Sequence, residues 1–405
     1  MMVYAIYIIM TLVLSALYDR SDDSIGKSKW YAFTCIYLIL LAGFRNGMGG
    51  DTQFYMRDFD NVPIFASDYC EYIIENMLSR SFMPGWSILN ILCKNVFNSF
   101  YAVQLIESLI VNCCIFYLFK KYTRHVFLCA LLYGISGYFF IFNTEVMREA
   151  IAIACVGIGM YHYMRGNKVY FYILVSAALM FHLSALMALL FPLTGFVHRI
   201  SIKVLILSFC ISFALWILSD TVVLFLIDHI SDNLPGATKI ISYADQKSNI
   251  FGFLELALRY LVGMAGIIYF SQFSPNRTET MKSDYAHYST FFLGIAIIAC
   301  AISGFYRFLN YSAIFLLIMV SEFIGNWKNQ LTQLAFTKMV LVCIFFFYSG
   351  KYFYRIWPNV KRHNYELFVP YTSIMDRNVD TDYRYEMWQD AVDKDRNKNN
   401  SRGLK

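Results

Sequence analysis

This chain is short of charge. Only 15% of its 405 residues are Asp, Glu, Lys or Arg, whereas a soluble domain carries about 25% because its surface faces water. So few charges could not cover a globule of this length, which excludes one large soluble fold. The short motifs that mark familiar chemistries are missing too: there is no glycine-rich nucleotide loop, HExxH zinc site, GxSxG elbow or CxxC pair. The ten cysteines fall in apolar runs, with Cys70 the one expected in a loop, and read as small hydrophobes. There is no internal repeat and no matching pair of interrupted helices, which argues against a transporter built from two halves. No basic segment precedes the first apolar run, so that run is expected to be an uncleaved anchor.

What is abundant is apolar and aromatic: 58% hydrophobic and 18% aromatic residues, with a mean hydropathy of +0.48. The apolar residues come in blocks, roughly Met1–Leu17, Trp30–Gly43, Phe100–Phe119, Val126–Phe142, Ala150–Tyr163, Val169–Phe196, Val204–Ile227, Phe251–Phe273, Phe291–Gly304, Leu309–Ile324 and Leu331–Tyr348. Pro84–Val96 is a weaker, shorter one. A helix needs about 20 apolar residues to cross the hydrocarbon, and backbone groups in lipid must bond internally. The expected fold is therefore all-α, a polytopic integral membrane protein of about 11 to 13 membrane helices. Residues 1–350 form the membrane domain. Residues 351–405 form a polar C-terminal tail whose end, Asp390–Lys405, is expected to be disordered.

The net charge of +6 reads as a topology signal, not as a surface for nucleic acid. Basic residues gather in short loops, at Arg20/Lys27/Lys29, Lys120/Lys121/Arg124, Arg165/Lys168, Arg199/Lys203 and Arg277/Lys282, which the positive-inside rule places in the cytoplasm. An even number of crossings must then lie between Lys168 and Arg199. Val169–Phe196 would make a helix of about 42 Å, long for one crossing and short for two. A broken or re-entrant pair bending near Phe181-His182 reconciles length with charge. The opposite face then collects the loops Phe44–Arg80, Asn143–Glu149, Asp220–Ile250 and Ser303–Arg307.

Charges at the ends of spans are costly and mark candidate sites. Directly after the second block, Arg45 precedes Gly47, Gly49, Gly50, Asp51, Thr52 and Tyr55. The glycines let the backbone turn tightly, Arg45 offers a planar fork for phosphate oxygens, and Asp51 suits a base or a group that orients the arginine. The plainer alternative is an ordinary loop with Arg45 snorkelling at the interface. In Asn143–Glu149, Asn143 or Thr144 is expected to cap a helix on which Glu145 lies one turn from Arg148 and Glu149, either as a structural ion pair or with Arg148 meeting an anion. His182 stands alone among apolar residues, where packing is the commoner role. Arg307 and Tyr311 share a helix face at i, i+4, as a site or as interface anchors. The acidic patch Asp19–Asp23 is expected to be a solvated turn.

Together these pieces resemble the EpsG-type family of exopolysaccharide and O-antigen polymerases (Wzy-like). The likeness rests on Arg45 with Gly50-Asp51-Thr52 and Tyr55, Arg148 before Ala150-Ile151-Ala152, Phe181-His182 with Ser184-Ala185-Leu186, Arg307 with Tyr311, and the late Val369-Pro370-Tyr371. It departs at Met83-Pro84-Gly85-Trp86, where many members carry a glutamate before Pro-Gly, so no catalytic role carries over there. The resemblance implies a multi-pass enzyme of the bacterial inner membrane that polymerises undecaprenyl-pyrophosphate-linked oligosaccharide repeat units, without cofactor or metal. Its partners would be the lipid-linked donor and acceptor, the bilayer, a flippase and a chain-length regulator, with no nucleic acid. Arg148 and Arg307, with Arg45 third, would hold the pyrophosphate, alongside Tyr55 and Tyr311. Asp51 or His182 would be the base. Two alternatives stay open: a membrane glycosyltransferase using a polyprenyl-phosphate sugar, with Asp58 and Asp60 near Asp51, and a flippase of lipid-linked oligosaccharides.

Overall fold

The computed structural model describes residues 2–21, 23–79, 82–196, 200–219, 249–272, 279–325, 332–356, 361–376, 379–390 and 393. Among them there is no β-strand, only the isolated bridges Arg45–Ser373 and Ile356–His363. The helices in chain order are α1 (Met2–Tyr18), α2 (Ser24–Gly43), α3 (Gly50–Asp58), α4 (Tyr69–Ser79), α5 (Pro84–Phe97), α6 (Phe100–Tyr122), α7 (Val126–Ile135), α8 (Tyr138–Phe140), α9 (Met147–Met164), α10 (Lys168–Leu179) and α11 (Ile202–Ile217). They continue as α12 (Ile250–Ala257), α13 (Ala265–Ser271), α14 (Glu279–Ala301), α15 (Ala313–Gly325) and α16 (Thr332–Tyr354). Four helical stretches among the described residues are long and apolar enough to cross a membrane, Phe100–Tyr122, Ile202–Ser219, Ile250–Ser271 and Gly304–Gly325. A fifth is reached if the bent pair Val126–Ile135 and Tyr138–Glu145 counts as one span. The protein is an all-α polytopic membrane protein.

The distribution of side chains fits that solvent. Ile6, Ile9, Leu12, Leu17, Ile206, Leu207 and Ile211 are exposed on α1 and α11, while Gln104, Glu107, Asn112 and Asn143 are fully buried. Exposed apolar faces of this length would be insoluble in water but suit hydrocarbon. Inside, polar groups pair where they can: Asn112 Nδ2 donates to Asn143 Oδ1 at 2.9 Å, and Asn143 Nδ2 donates to Tyr133 OH at 3.1 Å.

The fold-back expected near His182 is present. α10 stops at Leu179 and the chain returns as a 3-10 helix, Leu183–Phe196. Phe191, near the end of the returning arm, packs against Phe171 at the start of α10, ring centroids 6.3 Å apart, and against Tyr163 at 5.7 Å. Both ends of the pair therefore lie at the level of the α9 C-terminus, and His182 sits at the tip.

A second break was not expected. The block Val126–Phe142 bends by 76° at Ser136-Gly137, where Gly137 has φ +87°, a conformation costly for any residue with a Cβ. A π-helical turn, Ile141–Glu145, then leads into α9. Three local readings are corrected here. Neither Asn143 nor Thr144 caps α9, because Asn143 Nδ2 bonds Phe139 O and Thr144 Oγ1 bonds Phe140 O one turn back. Asp19 is buried, not solvated: its carboxylate accepts from Phe127 N at 3.1 Å and Leu128 N at 3.0 Å, capping α7. Cys70 lies in α4 instead of a loop.

One end of the bundle carries the basic loop residues Lys27, Arg124 and Arg165. Lys27 Nζ donates to Arg124 O at 2.9 Å, and Arg165 pairs with Asp284 at 3.1 Å. α9 runs from there to the other end over about 27 Å at 1.5 Å per residue. That far end gathers the loops before α3 and α9 and the 3-10 helix Ser303–Ser312; residues 220–248 of the expected third loop lie outside the described residues. Residues 361–376 and 379–388 form a strap across it. Asn46 N bonds Thr372 O at 2.8 Å, Ile374 N bonds Phe44 O at 2.9 Å, and Gly49 N bonds Leu367 O at 3.1 Å. Of the tail's expected disordered end, residues 391, 392 and 394–405 lie outside the described residues.

Candidate active site

The site begins where α2 ends. Arg45 is 1% exposed; it donates from Nη1 to Ala42 O, and from Nη2 to Thr52 Oγ1 at 3.1 Å and Met147 Sδ at 3.3 Å. These contacts tie α2, α3 and α9 together. Burial lowers the Arg45 guanidinium to about 10, with Glu107 the strongest influence in the opposite direction, so it stays a cation at neutral pH. Gly47 and Gly49 then turn with φ of +57° and +83° and bring the α3 N-terminus against the π turn. The Glu145 carboxylate accepts there from Gly50 N at 2.9 Å, the favourable place for an anion at a helix start. Glu145 thus precedes α9 and shares no helix face with Arg148.

At the start of α9, Arg148 Nε donates to Tyr55 OH at 3.0 Å and the guanidinium lies 4.1 Å over the Phe82 ring. Burial pushes the Tyr55 phenol up to about 12 against the pull of Arg148, so it is neutral at physiological pH. Glu149 is buried, with Arg307, Asn310 and Arg148 as its polar neighbours. At the hairpin tip, His182 Nδ1 bonds Ser184 Oγ, which bonds Tyr311 OH at 2.8 Å. Arg307 and Tyr311 occupy a 3-10 helix, whose three-residue turn groups Arg307 with Asn310 and leaves Tyr311 buried toward Ser184.

A cavity of about 420 Å³ opens beside these groups. Asp51 and Glu145 line it, as do Arg259, Arg307 and Arg355, with Tyr306, Asn310, Tyr352 and Trp388 completing its polar and aromatic wall. Its size falls in the range of about 300–1,000 Å³ typical of ligand sites, room for a head group and not for a whole lipid-linked oligosaccharide. Arg259 Nε and Ser136 Oγ have no hydrogen-bond partner among the described residues, a costly state for buried polar groups unless something else binds there. Carboxylates and guanidinium groups facing one space can take a proton and hold an anion at once.

The residues singled out in the sequence therefore divide. Asp51 and Arg307 line the cavity. Tyr55 and Arg148 form a bonded pair near it, and His182 and Tyr311 are joined through Ser184. Arg45 is buried beneath the first loop. Three cavity residues had been passed over. Arg259 and Glu255 are the two charges of the block Phe251–Phe273, and a charge in an apolar run is signal enough. Arg355 and Trp388 fall within the segment 351–405 that reads as a polar tail.

The model of the EpsG family matches residues 28–373, which cover every cavity residue except Trp388. The chain belongs to the EpsG family. This EpsG-family chain is thereby a membrane protein of polysaccharide biosynthesis of the polymerase type. Searches of curated proteins and of solved structures returned no match. The family match ends within the strap, so the Trp388 wall stands on this chain's own geometry.

Proposed function

We propose that this protein joins undecaprenyl-pyrophosphate-linked oligosaccharide repeat units into a surface polysaccharide, by glycosyl transfer at the extracytoplasmic face. The observation that carries this reading is the cavity that Arg259, Arg307 and Arg355 line together with Asp51 and Glu145. It sits at the end of the bundle opposite Lys27, Arg124 and Arg165, which the positive-inside rule assigns to the cytoplasm.

In the reaction, a sugar hydroxyl of one lipid-linked unit attacks the anomeric carbon of the other. A new C–O glycosidic bond forms and the bond to pyrophosphate breaks, its electron pair leaving with the phosphate oxygen. The hydroxyl proton passes to a carboxylate, with Asp51 as first choice, Glu145 beside it and His182 held outside the cavity wall. Arg307 stabilises the departing charge with Arg259 and Arg355, since guanidinium forks match phosphate oxygens and gain strength where water is excluded. Arg148 supports this centre through Glu149, and Arg45 anchors the loop that carries Asp51.

The test is deletion of the gene followed by electrophoresis of the surface polysaccharide. Long chains should vanish while a single-repeat band persists. Loss of every band would instead assign the protein to flipping or earlier assembly, and chains that persist with one sugar missing would assign it to single-sugar transfer.

A further inference from the structure

The strap is fastened over the first loop by a residue the polymerase reading does not use. Arg384 is fully buried; it donates to Thr372 Oγ1 at 2.9 Å, to Glu366 O at 3.2 Å and to Pro370 O. On the opposite side Gln53 Nε2 donates to Thr381 O at 3.2 Å. Arg57 pairs with Asp382 at 3.1 Å and its guanidinium lies 3.6 Å over the Tyr385 ring. These bonds bring one side chain to the cavity from more than three hundred residues away. Trp388 lines it together with Asp51, its ring centroid 6.1 Å from Phe54 and 5.9 Å from Tyr385. The indole lies so close to α3 that a Cβ built on Gly50 would stand 1.8 Å from its Cδ1. Only a glycine at that position leaves room for the ring.

A pyranose ring has one face of C–H groups and a rim of hydroxyls. An indole offers a flat apolar surface with an N–H at its edge, the complement of such a face. Next to it stand carboxylates and guanidinium groups that suit the hydroxyl rim. We propose that Trp388, backed by Phe54 and Tyr385, is the platform on which the acceptor's terminal sugar stacks, so that its hydroxyl faces Asp51. The strap thus supplies the saccharide wall of the site, and the cavity arginines supply the phosphate wall. This inference rests on the reading under Proposed function.

The test uses the full-length protein in lipid nanodiscs and two probes. One is the free repeat-unit oligosaccharide, released by mild acid from the single-repeat band of the deletion strain. The other is a short polyprenyl pyrophosphate. Saturation-transfer NMR should show the wild type touching one C–H face of the terminal sugar. Trp388→Leu should weaken oligosaccharide binding about tenfold, the size of a lost ring-stacking contact, and Trp388→Phe should restore most of it. Gly50→Ala, which keeps the indole but displaces it, should weaken binding similarly. All three variants should bind the polyprenyl pyrophosphate as the wild type does, which also reports that they are folded. Undiminished oligosaccharide binding by Trp388→Leu overturns the proposal. A wild type that binds the pyrophosphate and not the oligosaccharide overturns it while leaving the polymerase reading intact, and one that binds neither removes both.

Discussion

Arg45 and Arg384 head the fully buried side chains by volume, and both hold backbone together around the first loop. A buried cation is tolerable only with its donors bonded and a counter-charge near. For Arg45 the counter-charge is Glu107, itself buried with neither carboxylate oxygen hydrogen-bonded among the described residues. Arg45→Met should therefore destabilise the protein by about 1–3 kcal/mol, because Ala42 O and Thr52 Oγ1 lose their donor and Glu107 loses the charge nearest it. Adding Glu107→Gln should recover part of the loss, read as membrane abundance and thermal unfolding of purified protein. If the double variant were no more stable than Arg45→Met, the pairing would be wrong. The cavity arginines should behave differently. Arg307→Lys and Arg259→Lys keep the charge but lose the planar fork, so polymer formation should fall by about a hundredfold or more while membrane levels persist. Normal polymer from both variants would remove the phosphate clamp.

The elements that shape the site are the irregular ones. The α10 hairpin brings His182 and Ser184 to Tyr311, and the bend at Gly137 sets the π turn that delivers Glu145 to the α3 N-terminus. Reporter fusions placed after Gly166 and after Phe196 should read the same side of the membrane; opposite sides would break the hairpin. A Cβ at Gly137 would meet the Phe353 ring at 2.6 Å, besides forcing its positive φ on a residue that resists it. Gly137→Ala should thus shift α16 next to Tyr352 and lower both thermal stability and polymer yield. Wild-type values for both would show that the bend is not needed. The hairpin was legible because charge and length conflicted along Val169–Phe196. The bend was not, since hydropathy runs unbroken through Ser136-Gly137 and only backbone geometry reveals the corner. Hydropathy also cannot tell a 3-10 turn from an α-helical one, so Tyr311 was grouped with Arg307 where Asn310 belongs.

At the scale of the whole molecule, isoleucine and leucine cover the flanks, and an apolar core encloses a few polar groups such as Gln104, Glu107 and Asn112. That much was legible from composition, because lipid imposes the same demand on every span. The convergence of Asp51, Glu145, Arg259, Arg307, Arg355 and Trp388 on one cavity was only half legible. Asp51 and Arg307 flank spans, where their cost is visible, whereas Arg355 and Trp388 reach the cavity only through packing of α16 and the strap. The account's central claim is that this cavity exchanges a lipid pyrophosphate for a glycosidic bond. The most direct measurement reconstitutes the purified protein in liposomes with lipid-linked repeat units extracted from the deletion strain, with no nucleotide sugar and no second enzyme. The account predicts a ladder of polymer and one undecaprenyl pyrophosphate released for each bond formed. No ladder from a folded protein, or release of undecaprenyl monophosphate in its place, would contradict it.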